Sequence, residues 1–391
     1  MRRIVRFPAA SKSLYMDILL TGATGAIGGD LLRHLLDARP DVAVHVLLRA
    51  QTAEEVHARM LPVHASLSRE DARRVFPAPG DILLDALGLG ANRQNLIGRI
   101  GEIYHVAACT SLSQTMEDAR RTNLLGTEHV IEFARAVRKA GNPVHLHHIS
   151  TAYVSGTRTG CMREDELECG QEFFNYYEWS KFEAERAVRK AGADLPVTVY
   201  RPGLVVGDSR TGRTNRFQGV YQVLQWIHCG LLDSLPCQPD FQLDLAPVDY
   251  VCGAIVRLAQ LSDSANRTFH LTAGAGNTLP LNELVEIYLR ERAACEGGEY
   301  RPGSIRFSPP NGNSIPANHE VPAIWKRFAH YIPYFTCPKA FDTSAAHRAL
   351  QDLQAPSCRE YLPAVVRYAL QSGFRVPPPY YYSGTGYETP K

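Results

Sequence analysis

The chain has 391 residues, of which 45% are hydrophobic and 21% charged, with a formal net charge of +2; this is an ordinary globular composition, long enough for a sizeable core and for two domains. So small a net charge argues against a nucleic-acid binder held by bulk charge, and no apolar run approaches the roughly 20 residues of a spanning helix. Nine scattered cysteines, odd in number and without a Cys-x-x-Cys pair, argue against a disulfide framework or a zinc site and for reduced thiols in a cytoplasmic protein.

Residues 1–15 are basic and lack the apolar core of a signal peptide, so a loosely ordered arm is expected there. Beyond it, strand-like and helix-like stretches alternate. Residues 18–21 read as a strand, followed by a glycine turn and a helix to about 38. A strand over 42–48 comes next, then helices over 54–60 and 69–75, a short strand over 81–84 and a turn of helix over 96–100. A strand over 102–107, a helix over 123–140, a strand over 144–149, a helix over 172–191 and a strand over 197–200 complete the first half. This order predicts an α/β fold: a doubly wound parallel sheet of Rossmann type, with its ligand at the carboxyl ends of the strands. After Arg201-Pro202-Gly203 the pattern changes. Helices over 220–227 and from 247 to about 260, and a strand over 268–271, precede a Pro-rich tail with short helices from about 282. The expected division is a dinucleotide-binding domain over 16–206, to which 241–275 returns, and a smaller, mostly helical substrate domain and tail over 207–240 and 276–391. The last residues, 377–391, are expected to hug the surface or remain flexible.

The first chemical signal is TGATGAIGG, Thr21 to Gly29. A helix N-terminus offers unpaired N–H groups and about half a positive charge, but an anion reaches them only where side chains are absent. Gly22, Gly25 and Gly28, spaced Gly-x-x-Gly-x-x-Gly, are expected to give that access, with Thr21, Thr24, Ala26 and Ile27 beside them. The turn follows a predicted strand and opens a predicted helix, the context a dinucleotide pyrophosphate site requires. The second strand ends in Leu47-Leu48-Arg49. An acid there would bind the ribose 2′-hydroxyl of NAD, whereas Arg49 suits a 2′-phosphate, so NADP(H) is the expected cofactor. Asp81, in Gly80-Asp81-Ile82, can accept from an adenine amino group or simply make a turn.

The second signal is Tyr177-Glu178-Trp179-Ser180-Lys181, with Thr151 upstream in His148-Ile149-Ser150-Thr151. Tyr177 and Lys181 stand at i and i+4 and share a helix face. The cation is expected to draw the phenol pKa down from about 10 toward neutrality. Tyr177 then serves as proton donor and acceptor, Lys181 holds ribose hydroxyls, and Thr151 donates to the substrate oxygen.

These motifs resemble those of the extended short-chain dehydrogenase/reductases, and within them the thioester reductase and fatty acyl reductase branch. The resemblance rests on TGATGAIG, LLRA (47–50), GDILLDALGLG (80–90), IYHVAA (103–108), RRTNLLGTEHV (120–130), HISTAYVSG (148–156), YYEWSK (176–181), YRPGLVVGDSRTG (200–212) and PVDYV (247–251). It spans roughly residues 16 to 275. It implies Thr151, Tyr177 and Lys181 as a catalytic triad, and Asn123 as a residue that orders a proton-relay water near Lys181. It also implies that Ile82, Ala107, Ala108, Pro202 and Gly203 border the cofactor. The implied reaction is hydride transfer from NADPH to an acyl thioester on CoA or on an acyl carrier protein, giving an aldehyde and, with a second hydride, an alcohol. The competing readings are a dehydrogenase, ketoreductase or epimerase acting on a free carbonyl or alcohol, and a non-catalytic dinucleotide sensor. A sensor has no need of Thr151, Tyr177 and Lys181.

His145, His147 and His148 look like a metal cluster, but adjacent strand residues face opposite ways, so only His145 and His147 share a face. They read as structural, and no metal is expected. Arg210, Arg213 and Arg216 suit CoA phosphates, an acidic carrier protein or plain solvent. Trp226 and its apolar neighbours read as packing, with a role in acyl binding compatible. Oligomeric state is left open.

Overall fold

A computed structural model describes residues 16–308 and 327–376. The expected N-terminal arm and the segment 377–391 lie outside the described residues. Seven strands form one parallel sheet: β1 (Asp17–Thr21), β2 (Val44–Leu48), β3 (Val75–Pro79), β4 (Ile100–His105), β5 (His145–Ile149), β6 (Val197–Pro202) and β7 (Arg267–Leu271), in the order β7-β6-β5-β4-β1-β2-β3. The chain builds outward from β1 in one direction, then restarts at β4 and builds in the other. The crevice between the ends of β1 and β4 is therefore the switch point at which such a sheet takes its ligand. Parallel strands covered on both faces read as continuous apolar runs, and β2 is buried along its whole length.

Helices cover both faces. On one, α1 (Ala26–Ala38) packs through Leu31, Leu32, Leu35 and Leu36 against Val251 and Ile255, which belong to a helix described below. On the other, α3 (Gly126–Lys139) and α4 (Tyr176–Ala191) meet through Val130, Phe133 and Val137 against Val188 and Ala191; α2 (Ala53–Ala65), between β2 and β3, lies on the face of α1 through Met60 and Val63. Beyond β6 come α5 (Val220–His228), α6 (Val248–Ala259), which carries Val251 and Ile255, α7 (Leu281–Glu296) and α8 (Cys358–Gln371). Tyr221, Leu224, Tyr288, Tyr361 and Val365 of α5, α7 and α8 form a separate apolar core, and this is the C-terminal helical region that the sequence predicts. Among the described residues no helix is long and apolar enough to cross a membrane.

Three expectations change. The helix expected over 69–75 stops at Ala72, and Val75–Pro79 is a strand. Its Pro77 and Pro79 disguise it, because proline cannot donate to a ladder; β3 is an edge strand, where that loss is tolerated. The short strand expected over 81–84 is a turn: Asp81 accepts through Oδ1 from Leu83 N at 3.0 Å and through its carbonyl from Leu84 N at 3.1 Å. The tail expected to hold only short helices contains α7 and α8, of 16 and 14 residues. Pro363 sits inside α8 and Pro280 caps α7, so the prolines that suggested irregularity mark helix starts and a single interior break in the hydrogen-bond ladder.

Candidate active site

The turn from β1 into α1 is built around Gly22, at φ +76°, where a Cβ would lie 2.7 Å from Ala107 N. Gly25 caps α1 without a side-chain hydrogen bond, and the first turn carries no acid. Donors and positive dipole end thus face the crevice uncompensated by the helix's own first turn, which fits a pyrophosphate. Gly28 does not fit its expected role. It does not line the cavity; a Cβ there would lie 2.1 Å from Gly22 O, so its bare Cα lets α1 close onto the turn.

Thr21 fixes the floor of the turn. Its hydroxyl accepts from Val106 N and Ala107 N, both at 3.1 Å, and lies 2.9 Å from His105 Nδ1. Thr127 Oγ1 donates to Asn123 O at 2.6 Å and lies 3.0 Å from His105 Nε2. Its one proton being used, Thr127 must accept from His105 Nε2–H, so Nδ1 accepts from Thr21. Burial holds the imidazole neutral by pushing its pKa down to about 3.

Cofactor and catalytic candidates open into one cavity of about 1090 Å³. Thr21, Gly22, Thr24, Gly25, Ala26, Ile27, Arg49, Asp81, Ile82, Ala107, Ala108, Pro202 and Gly203 line it, as do Thr151, Tyr177 and Lys181. Asn175 starts α4 by accepting from Glu178 N at 3.0 Å, which sets Tyr177 in the first turn and Lys181 one turn later. Lys181 is 3% exposed; its ammonium donates to Ile149 O at 2.8 Å and lies 3.5 Å from His148 Nε2.

Here the expected electrostatics reverse. Burial pushes the Tyr177 phenol up to about 12, against a hydrogen bond from Thr151 that works the other way. Burial also pulls Lys181 down to about 8, opposed by the Glu185 carboxylate. Desolvation, joined by the Glu178 carboxylate, outweighs the Thr151 hydrogen bond, so Tyr177 is a proton donor at neutral pH and not a near-neutral acid–base.

Asn123 is buried in a π-helical turn, Arg120–Leu125, ahead of α3. Its Oδ1 accepts from Cys109 N at 2.8 Å, and its Nδ2 donates to Cys109 O at 3.0 Å and to Ser180 Oγ at 2.8 Å. Both amide hydrogens are thus used within the protein, and the side chain is not part of the cavity wall; it braces Cys109 against α4. The histidine trio is distributed: His145 Nε2 lies 2.8 Å from Thr198 Oγ1 and His147 Nδ1 lies 3.1 Å from Tyr200 OH, while His148 meets Lys181. Among the described residues no group of three metal-ligating side chains is arranged to hold an ion. All nine cysteines are free thiols.

Several site residues escaped sequence reading. Arg59 of α2 joins Arg49 in the lining. Glu185, one turn after Lys181, accepts from Ser150 Oγ at 2.7 Å, Arg189 Nε at 2.9 Å and Arg201 at 2.7 Å, and ties the strand end that carries Thr151 to α4 and β6. Its i+4 spacing from Lys181 was the signal available. Tyr334 had none: its hydroxyl accepts from Asn175 Nδ2 at 3.0 Å and hydrogen-bonds Glu178, and its ring meets Tyr153 edge-on at 4.9 Å.

A glycine cradle at the β1/β4 switch point and a buried Tyr-x-x-x-Lys helix opening into the same crevice define an oxidoreductase of the extended short-chain dehydrogenase/reductase type, dependent on a nicotinamide dinucleotide. Residues 20–255 match the model of the male sterility protein family, an NAD-binding family, and the chain belongs to it. It is 34% identical over 272 residues to a linear gramicidin synthase of Brevibacillus parabrevis, covering 66% of this chain and 5% of that protein. It is 25% identical over 291 residues to the fatty acyl-CoA reductase wat of Drosophila melanogaster, covering 65% and 56%. The chain thus spans only part of the length of these relatives. Among solved structures, the terminal R domain of the myxalamid PKS-NRPS pathway superposes with a TM-score of 0.76 at 28% identity, covering 93% of each chain.

Proposed function

We propose that the protein reduces an acyl thioester, borne on CoA or on a carrier protein, to an aldehyde with NADPH. The observation that carries this reading is the opening of the half-buried Tyr177, with Thr151 and Lys181, into the same cavity as the glycine cradle. The similarity to a fatty acyl-CoA reductase and to a terminal R domain supports the choice of a thioester.

A reduced nicotinamide dinucleotide bound along the cradle supplies a hydride to the carbonyl carbon. Tyr177 and Thr151 hold the carbonyl oxygen and stabilise its growing negative charge, a preorganised contact of the kind that is often the largest catalytic term. Lys181, held by Ile149 O, lends positive charge behind them. The C–S bond then breaks with the electron pair leaving on sulfur; a thiolate, of thiol pKa about 8.5, departs readily. One thioester, one reduced cofactor and one proton give one aldehyde, one thiol and one oxidised cofactor. Walls from α5 and from residues 327–335 receive the acyl group, through Trp226 and Tyr331 among others. The decisive assay follows NADPH oxidation with acyl-CoA, acyl-carrier and free ketone substrates. Oxidation with thioesters is expected; oxidation with ketones alone overturns the reading.

The choice of NADPH over NADH rests on Arg49, exposed at the end of β2, and on Arg59 in the same wall. Hydrogen bonds to charged groups contribute roughly 1.5–3 kcal/mol, so Arg49→Asp is expected to lower kcat/KM for NADPH by about ten- to a hundredfold and to narrow or invert the preference over NADH. An unchanged NADPH/NADH ratio in steady-state kinetics refutes this assignment.

A further inference from the structure

Residues 213–218 cross the dinucleotide crevice between two glycines of positive φ, Gly212 at +71° and Gly219 at +64°. On one bank, Asn215 Nδ2 donates at 3.0 Å to the carbonyl of Gly25, the residue that caps α1. On the other, Thr110 Oγ1, in the segment that continues β4, donates to Gln218 Oε1 at 3.3 Å. Thr214 shapes the crossing: its hydroxyl donates to Arg216 O at 2.9 Å and accepts from Arg216 N at 3.2 Å. Thr214, Arg216 and Gln218 all line the cavity.

Two further facts tie this loop to the cradle. Gly29, the last glycine of the TGATGAIGG motif, has no part in the cavity wall; a Cβ there would lie 2.9 Å from Asn215 Nδ2, so Gly29 is what lets the loop come down. Arg216 follows the anchoring Asn215 directly, is exposed, and among the described residues is paired with no carboxylate. Arg216 is thus anchored beside a helix N-terminus whose first turn offers no acid, so its guanidinium can add a charged donor to the backbone N–H groups and Thr24 of the cradle. Arg210 differs: it lies 3.9 Å from Asp208 and is solvent-facing.

We propose that residues 213–218 form a latch over the bound dinucleotide and that Arg216 binds its pyrophosphate. This rests on the cofactor site of the preceding reading and is independent of its choice of substrate. The latch must open for cofactor exchange, with Asn215 and Gln218 as its two catches. The anchors are single hydrogen bonds to opposite banks, so each is expected to slow dissociation without being needed for folding.

Binding to the full chain, without substrate, tests both parts. With Arg216→Ala, affinity for 2′-phospho-ADP-ribose, which carries the pyrophosphate, is expected to fall about tenfold or more, while affinity for 2′-AMP, which lacks it, stays within twofold. Arg49→Ala is expected to weaken both. In stopped-flow displacement followed by NADPH fluorescence, Asn215→Ala and Gly29→Ala are each expected to raise the dissociation rate several-fold. Equal losses for the two ligands in Arg216→Ala, or no loss for either, overturn the pyrophosphate contact. A dissociation rate unchanged in both Asn215→Ala and Gly29→Ala overturns the latch.

Discussion

Tyr177→Phe is expected to lower kcat by about 10²–10⁴-fold, the usual contribution of a positioned general acid, while dinucleotide affinity stays within a few-fold. The phenyl ring would still fill the place of the phenol beside Thr151; only the hydroxyl, the proton donor, is lost. A phenol held up to about 12 is protonated throughout the range in which the enzyme can be assayed, so no ionisation of Tyr177 appears in the wild-type profile. Lys181, pulled down to about 8, does titrate there. It carries its charge below that value and loses it above, so kcat/KM is expected to fall as pH rises through about 8. The residual activity of Tyr177→Phe should keep the same limb, because it belongs to the lysine. A profile flat from pH 6 to 10, or a Tyr177→Phe variant within fivefold of wild type, sinks the assignment.

The largest effect on stability is expected from Arg201→Ala. Arg201 is 2% and Glu185 0% exposed, and the pair sits beneath the strand end that carries Thr151. Burial alone would push the Glu185 pKa up; Arg201, Arg189 and the Ser150 hydroxyl together hold it below 4.5. Removing Arg201 leaves the fully buried Glu185 with only Arg189 and Ser150 as partners, and breaking a buried pair of this kind costs up to about 3–5 kcal/mol. The sign with pH follows from linkage. A carboxylate whose folded pKa is depressed contributes its full stability above the unfolded value and loses it as pH falls through the folded one. In the variant, Glu185 has lost its main partner and burial dominates, so protonation relieves the penalty. The gap between wild type and Arg201→Ala, measured by guanidinium titration, should therefore be widest near neutrality and shrink toward pH 4. A gap below about 1 kcal/mol at pH 7, or one that widens in acid, would contradict this account; the magnitudes are those of a broken buried pair.

Much of the site was legible because its chemistry is local. Gly22 and Gly25 act through backbone geometry at a strand-to-helix turn, and Tyr177 and Lys181 share a face because the helix period is 3.6 residues. The alternation of apolar strands and amphipathic helices sufficed for the doubly wound sheet. It failed at Val75–Pro79, where two prolines hid an edge strand, and at α7 and α8, where prolines masked helices whose stability comes from packing on one another.

By itself the sequence determined the cradle, the Tyr-x-x-x-Lys face and the sheet that presents them, since each follows from periods of a few residues. Tertiary structure alone decided how those groups are charged. The spacing of Tyr177 and Lys181 promised a lowered phenol pKa, yet the elements that cover them remove water from both, and that desolvation raises one value and lowers the other. It also decided which glycine faces the crevice and which only lets elements close: Gly28 meets Gly22 O and Gly29 admits Asn215. Long-range partners such as Glu185 with Arg201, Asn175 with Tyr334 and Asn215 with Gly25 depend on which segments the fold brings into contact, and no local pattern encodes that.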